Sequence, residues 1–179
     1  MRVIAGTAKG IRLATVPGGT RPLSDRAREG LFSSLGPSVA GTRFLDVFAG
    51  TGAVGIEALS RGAASAQFVE SGPAAVRTIR ENLRRAGLDS RAQVRREDGR
   101  RLAYRGDPFD IVFLDPPYAI PARDLDTVLA RIAEPGLLAP GALVIVTRRE
   151  GSYTPVVPVH WAPDRRLSYG DTVILAYRT

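Results

Sequence analysis

Asp46-Val47-Phe48-Ala49-Gly50-Thr51-Gly52-Ala53-Val54-Gly55 is the stretch on which the fold turns. It follows an apolar run, Phe44-Leu45, and contains a G-x-G-x-x-G spacing from Gly50 to Gly55. Glycines after a strand let the backbone turn sharply and let a ligand approach where a Cβ would stand. Dinucleotide-binding and S-adenosylmethionine-binding domains share that need, so the glycines alone leave both open. Asp46, inside the strand, shifts the balance. A carboxylate there repels a pyrophosphate and suits a cofactor carrying an ammonium and a sulfonium. Its competing reading is a side chain that bonds the turn or caps the next helix.

Outward from this loop the pattern is repetitive α/β. Residues 44–48 read as a buried strand and 53–61 as a helix. A second strand covers 67–70, and a helix follows over 73–86, with Val76, Ile79 and Leu83 on one side. Gly87 supplies its left-handed stop, and Leu88 can pack back against the helix. A weaker strand at 93–95 precedes strong ones at 110–114 and 142–146. Segments 165–168 and 172–177, split by Tyr169-Gly170-Asp171, read as a closing antiparallel hairpin. On the N-terminal side Ser24 can cap a helix running to Leu35, which Gly36-Pro37 ends. Two short apolar runs around Gly6-Thr7-Ala8-Lys9-Gly10 predict a small β-hairpin within residues 1–20.

The expected fold class is therefore α/β and Rossmann-like, with a mostly parallel seven-stranded sheet and helices on both faces. Residues 1–20 are read as an extension and 21–179 as the main domain. In such a sheet the ligand sits at the carboxyl ends of the strands, at the switch point. Glu70 ends the second strand twenty residues after Gly50, where an acid can accept both hydroxyls of a ribose. Asp98-Gly99, after the third strand, could offer a carboxylate to an adenine amino group. Phe48, Thr51 and Gly52 in the loop, and Ser71 after Glu70, complete the expected cofactor contacts.

Asp115-Pro116-Pro117-Tyr118 follows the fourth strand. Two prolines stiffen this loop and remove two N–H donors while leaving the carbonyls. The Asp115 carboxylate and the Pro116 carbonyl can both accept hydrogen bonds from one NH2 group, with the Tyr118 ring placed to stack on a planar base. An exocyclic base amine is a poor nucleophile because its lone pair is delocalised. Two acceptors favour rehybridisation and aim that lone pair, so alignment and electrostatics supply most of the acceleration. Asp115, Pro116 and Tyr118 are thus the candidate catalytic residues. Together the motifs imply transfer of a methyl group from S-adenosyl-L-methionine to an amino nitrogen of a nucleic-acid base.

The formal net charge is +7, and every basic side chain but Lys9 is arginine, apart from the lone His160. That balance favours a polyanionic partner through counterion release. Arg2, Lys9, Arg12, Arg21, Arg26 and Arg28 are the candidate RNA-facing cations. With no cysteine and one histidine, a metal centre is not expected. No apolar run approaches the roughly 20 residues that span a bilayer, and the first residues do not resemble a signal peptide. A cytoplasmic, monomeric enzyme is the expectation. An NAD-dependent oxidoreductase and a non-enzymatic RNA-binding module are the alternatives of other classes.

Over nearly its whole length the chain resembles the RsmD-type 16S rRNA (guanine-N2)-methyltransferases. Arg2-Val3-Ile4-Ala5-Gly6, the segment from Arg21-Pro22-Leu23-Ser24 to Glu29, the Asp46–Gly52 loop, Ile56–Gly62 and the Asp115–Tyr118 loop carry the resemblance. Ser24 stands where that family commonly has threonine, and Ala8-Lys9 replaces a bulkier basic stretch. The resemblance implies a guanine N2 in 16S rRNA as target, within the small ribosomal subunit or an assembly intermediate. It also implies that Glu70 binds ribose and that Asp98 contacts adenine. Adenine N6 in DNA or RNA is the alternative substrate, since the same acceptor loop would hold either amine.

Overall fold

The computed structural model describes residues 1–18 and 23–179. Seven strands form one sheet in the order β3-β2-β1-β4-β5-β7-β6. They are β1 (Arg43–Val47), β2 (Ser65–Glu70), β3 (Ala92–Arg96), β4 (Phe109–Leu114), β5 (Leu138–Arg149), β6 (Ala162–Tyr169) and β7 (Thr172–Arg178). The pairings from β3 through β5 are parallel, while β7 runs antiparallel to both β5 and β6. The chain leaves β1 toward β2 on one side and returns to β4 on the other, so the switch point lies between them.

Among the described residues, four α-helices flank the sheet: α1 (Asp25–Leu35), α2 (Ala53–Ser60), α3 (Pro73–Ala86) and α4 (Ala122–Ile132). One face packs Phe44, Phe68, Ile111, Phe113 and Ile145 against α1, α2 and α3; the other packs Leu45, Val112, Val144 and Val146 against α4. Ser24 caps α1 as expected, its Oγ accepting from the Ala27 N–H at 3.2 Å. Gly87 ends α3 at φ 65°, and the Leu88 N–H returns to the Leu83 carbonyl at 3.0 Å. The sequence reading contained no helix at α4. Its buried residues, Leu125, Val128, Leu129 and Ile132, carry helical spacing.

The N-terminal segment folds back on itself as an irregular hairpin, through the antiparallel Arg2–Arg12 bridge and hydrogen bonds from the Val3 N–H to the Ile11 carbonyl at 3.0 Å, the Gly10 N–H to the Val3 carbonyl at 2.9 Å and the Leu13 N–H to the Met1 carbonyl at 3.3 Å. Side chains of the helices dock it onto the domain. The Ile4 and Ala5 N–H groups donate to the two Glu57 oxygens at 2.8 and 3.0 Å. The Ser60 hydroxyl accepts from Ala8 and donates to the Ala5 carbonyl, and Asn82 clasps the backbone of Ala14. Gly6 lies so close that a Cβ there would meet the Ser60 carbonyl oxygen at 1.8 Å. Val3, Ala8 and Leu13 enter the same core as α2. Among the described residues, no helix is long and apolar enough to cross a membrane.

Candidate active site

Strand register builds the site. Val47 of β1 pairs with Val69 of β2 and with Leu114 of β4, and Leu114 pairs with Val146 of β5. Phe48, Glu70, Asp115 and Thr147 are each the next residue along these aligned strands. They emerge side by side at the carboxyl ends, where a cleft is lined by Asp46, Phe48, Gly50, Thr51, Glu70 and Asp115. Val16, Leu23 and Phe113 contribute apolar wall.

Three carboxylates face this cleft, and backbone amides pin two of them. Glu70 accepts from the Gly50 N–H at 2.9 Å through one oxygen and from the Gly72 N–H at 2.7 Å through the other. Each oxygen keeps a lone pair for a further donor, which fits a ribose presenting two hydroxyls. Asp46 is 1% exposed, and its Oδ2 accepts from the Gly55 N–H at 2.9 Å. It therefore caps the first turn of α2 and lines the cleft at once. Burial first, and then the neighbouring charges of Asp115 and Glu70, push its carboxyl well above the usual range, against the Gly55 hydrogen bond. Carboxyls crowded and buried in this way are ionised more readily beside a cationic ligand, and their position opposes a pyrophosphate.

Phe48 shapes the other wall. It is the one non-glycine residue at positive φ, 63°, among the described residues, a conformation that costs about 1–3 kcal/mol. Its ring lies against Gly99, where a Cβ would stand 3.1 Å from Phe48 and 3.0 Å from Val47. Glycine at 99 lets the Phe48 ring pack directly onto the backbone there, and Gly99 itself is buried outside the cleft lining. The three carboxylates, the amide-held Glu70 among them, and the Phe48 wall suit an adenosyl group bearing a positive charge.

Asp115 is held differently. Thr147 Oγ1 donates to its Oδ1, and burial raises its carboxyl while bonds from Thr147 and the Leu23 backbone pull it back. Pro116 is buried, and Pro117 and Tyr118 are exposed. Tyr118 lies outside the lining of the cleft, the residue 51% exposed and its hydroxyl 3.1 Å from Thr172 at the start of β7.

Several expected contacts are placed otherwise. Asp98 is outside the cleft lining, because Arg100 takes its carboxylate at 2.6 Å and bridges to Asp124 of α4 at 2.9 Å. That pairing lowers the Asp98 carboxyl. Ser71 is exposed and likewise absent from the lining. Arg28 is no surface cation. It is fully buried, donating to the Arg2 carbonyl at 2.5 Å and to Asp25 at 3.0 Å, with Glu57 at 3.9 Å. Burial lowers its guanidinium against the opposing pull of those acids, and its contacts tie α1 to α2 and to the N-terminal segment. Arg2, Lys9, Arg12 and Arg26 are exposed with no ion pair among the described residues, and Arg21 lies outside those residues. Thr147 and Leu23 are the contributors that sequence reasoning missed.

The family described as conserved hypothetical protein 95 matches residues 1–178. Ribosomal RNA small subunit methyltransferase D of Escherichia coli K12 is 34% identical over 179 residues, 99% of this chain and 89% of that protein. A solved hypothetical protein from Thermus thermophilus superposes with a TM-score of 0.81 at 33% identity, covering all of this chain and 99% of that one. An RNA methyltransferase from Salinibacter ruber, solved with S-adenosyl-L-homocysteine, has a TM-score of 0.67 and 19% identity. It covers 88% of this chain and 93% of its own, a likeness of fold.

Proposed function

This chain belongs to the RsmD-type family of small-subunit rRNA methyltransferases, and from that premise we propose that it methylates the exocyclic N2 of a guanine in 16S rRNA. The observation that carries this reading is the emergence of Asp115 beside Asp46 and Glu70 in a single cleft. When bound, S-adenosyl-L-methionine supplies an electrophilic methyl carbon on a positively charged sulfur. Glu70 holds the ribose hydroxyls, and Asp46 and Asp115 balance the positive charge from two sides. Asp115 and the Pro116 carbonyl accept the two amine hydrogens, favour an sp3 nitrogen and steady the developing ammonium. The amine proton leaves after attack, so Asp115 need not be its final acceptor. Tyr118, exposed beside this loop, offers a face on which the guanine stacks.

The target is 16S rRNA in a small subunit or an assembly intermediate, met by a cytoplasmic monomer. Residues 1–20 form an RNA-contact extension of the catalytic domain 21–179. Arg2, Lys9, Arg12 and Arg26, with Arg21, supply phosphate contacts, since the guanidinium fork fits phosphate oxygens. The test is incubation with labelled S-adenosyl-L-methionine and small subunits, in parallel with naked 16S rRNA, followed by nucleoside analysis. Label in N2-methylguanosine is expected, with subunits the better substrate. Label in N6-methyladenosine would move the activity to adenine. No transfer by folded protein would leave an RNA-binding module, and NADH bound in preference to S-adenosylhomocysteine would point to an oxidoreductase.

A further inference from the structure

Thr147 is a polar side chain buried at the end of an apolar strand. Ala142-Leu143-Val144-Ile145-Val146 is an unbroken apolar run, and Thr147 continues it with 0% exposure between neighbours on β4 and β7. By strand alternation it shares a face with Leu143 and Ile145, both packed in the α1–α3 core. Valine has the same shape and would fill this position without a polar atom. A buried hydroxyl without a partner is destabilising, so the hydroxyl matters through what it bonds. Of its two neighbouring acceptors, the Leu114 carbonyl stands at 3.5 Å, at the limit of hydrogen bonding, whereas Asp115 Oδ1 is in close contact. Its single proton is committed to Asp115.

We propose that Thr147 is a positioning residue for the transfer step: its hydroxyl fixes the Asp115 carboxylate by one oxygen and turns the other toward the target amine. This rests on the reading of Asp115 as an amine acceptor. The same hydrogen bond favours the ionised carboxylate, opposing the burial that raises it. Around Asp115, β1 contributes the Asp46 carboxyl, β2 the Glu70 carboxylate, and the segment before α1 the Leu23 N–H. None of these is altered by a change at 147, so such a change isolates the hydroxyl.

The experiment compares the full chain with Thr147→Val, Thr147→Ser and Asp115→Ala, measuring kcat, KM for S-adenosyl-L-methionine and the pH profile of kcat on small subunits. Thr147→Val is expected to lower kcat by about 10–100-fold, the range of a hydrogen bond to a charged group. KM should stay within about threefold, and the acid limb should move to higher pH because Asp115 then protonates more readily. Thr147→Ser should restore both kcat and the acid limb. Wild-type kcat and an unmoved acid limb in Thr147→Val, with Asp115→Ala inactive, would make Thr147 a packing residue and overturn the proposal. Equal impairment of the serine and valine variants would do the same, because retaining the hydroxyl would then make no difference. An active Asp115→Ala would instead sink the underlying reading of Asp115. Should Thr147→Val fail to fold, Thr147→Ala against Thr147→Ser carries the comparison, and equal kcat and acid limb in those two overturn it.

Discussion

The two halves of the cleft hold their carboxylates by different means. At the ends of β1 and β2, backbone amides do the holding: Gly50 and Gly72 grip Glu70, and Gly55 grips Asp46. At the ends of β4 and β5, a threonine side chain 32 residues downstream grips Asp115, helped by the Leu23 backbone. Amide donors arrive with the loop conformation and survive most side-chain substitutions. A side-chain donor is a single atom that one substitution removes. The β1–β2 half is thus a cradle set by backbone amides, and the β4–β5 half a grip set largely by one side chain.

Removing Asp115 breaks the two halves apart most strongly. Asp115→Ala should lower the single-turnover rate by about 10^3-fold or more, the scale of losing a preorganised electrostatic group. S-adenosylhomocysteine affinity measured by calorimetry should change less than about threefold. Parallel loss of both would mean that the halves are one unit. Glu70→Ala is the mirror case. Cofactor affinity should fall about 10–100-fold, while the rate at saturating cofactor stays within a few-fold; a collapsed saturating rate would give Glu70 a role in the transfer itself.

Asp46 sharpens the contrast through pH. Burial raises its folded-state carboxyl, so the native chain holds that proton more tightly than the unfolded chain does. Its contribution to stability is complete below the unfolded value near ~3.9 and is lost as pH rises through the folded value. Asp46→Asn keeps an acceptor for the Gly55 N–H and removes the titration. The free variant should melt at least ~2–4 °C higher than the parent at pH 8, about 1 kcal/mol for a chain of this size. The gap should close near pH 4, and cofactor should bind more weakly. A gap independent of pH would show that the charge of Asp46 is not what strains the empty cradle. The smallest effect belongs to the surface: Arg26→Ala should reduce the salt slope of RNA binding by about 1, and an unchanged slope would place Arg26 outside the RNA contact.

These differences also mark what the chain reveals before it is folded. Asp46, the glycine loop and Glu70 are legible because their partners are local amides, fixed by spacing. The alternation of strands and helices is legible for the same reason, and α4 had its signal in Leu125, Val128, Leu129 and Ile132. Arg26 and Arg28 look alike in sequence. Only packing puts Arg28 against Glu57, which lies on another helix, and leaves Arg26 in solvent. Asp98 reads in sequence as an adenine contact, but Arg100 two residues on takes its carboxylate. Tyr118 bonds Thr172 and Asp115 bonds Thr147 across long stretches of chain, through a β-sheet order that no local pattern specifies.

The most direct test is a crystal structure of the chain with S-adenosylhomocysteine. The account predicts the ribose on Glu70, the adenine against Phe48, and the sulfur directed across the cleft at the Asp115 carboxylate. A ligand whose sulfur points away from Asp115, with the carboxylate still turned from it, would contradict the account.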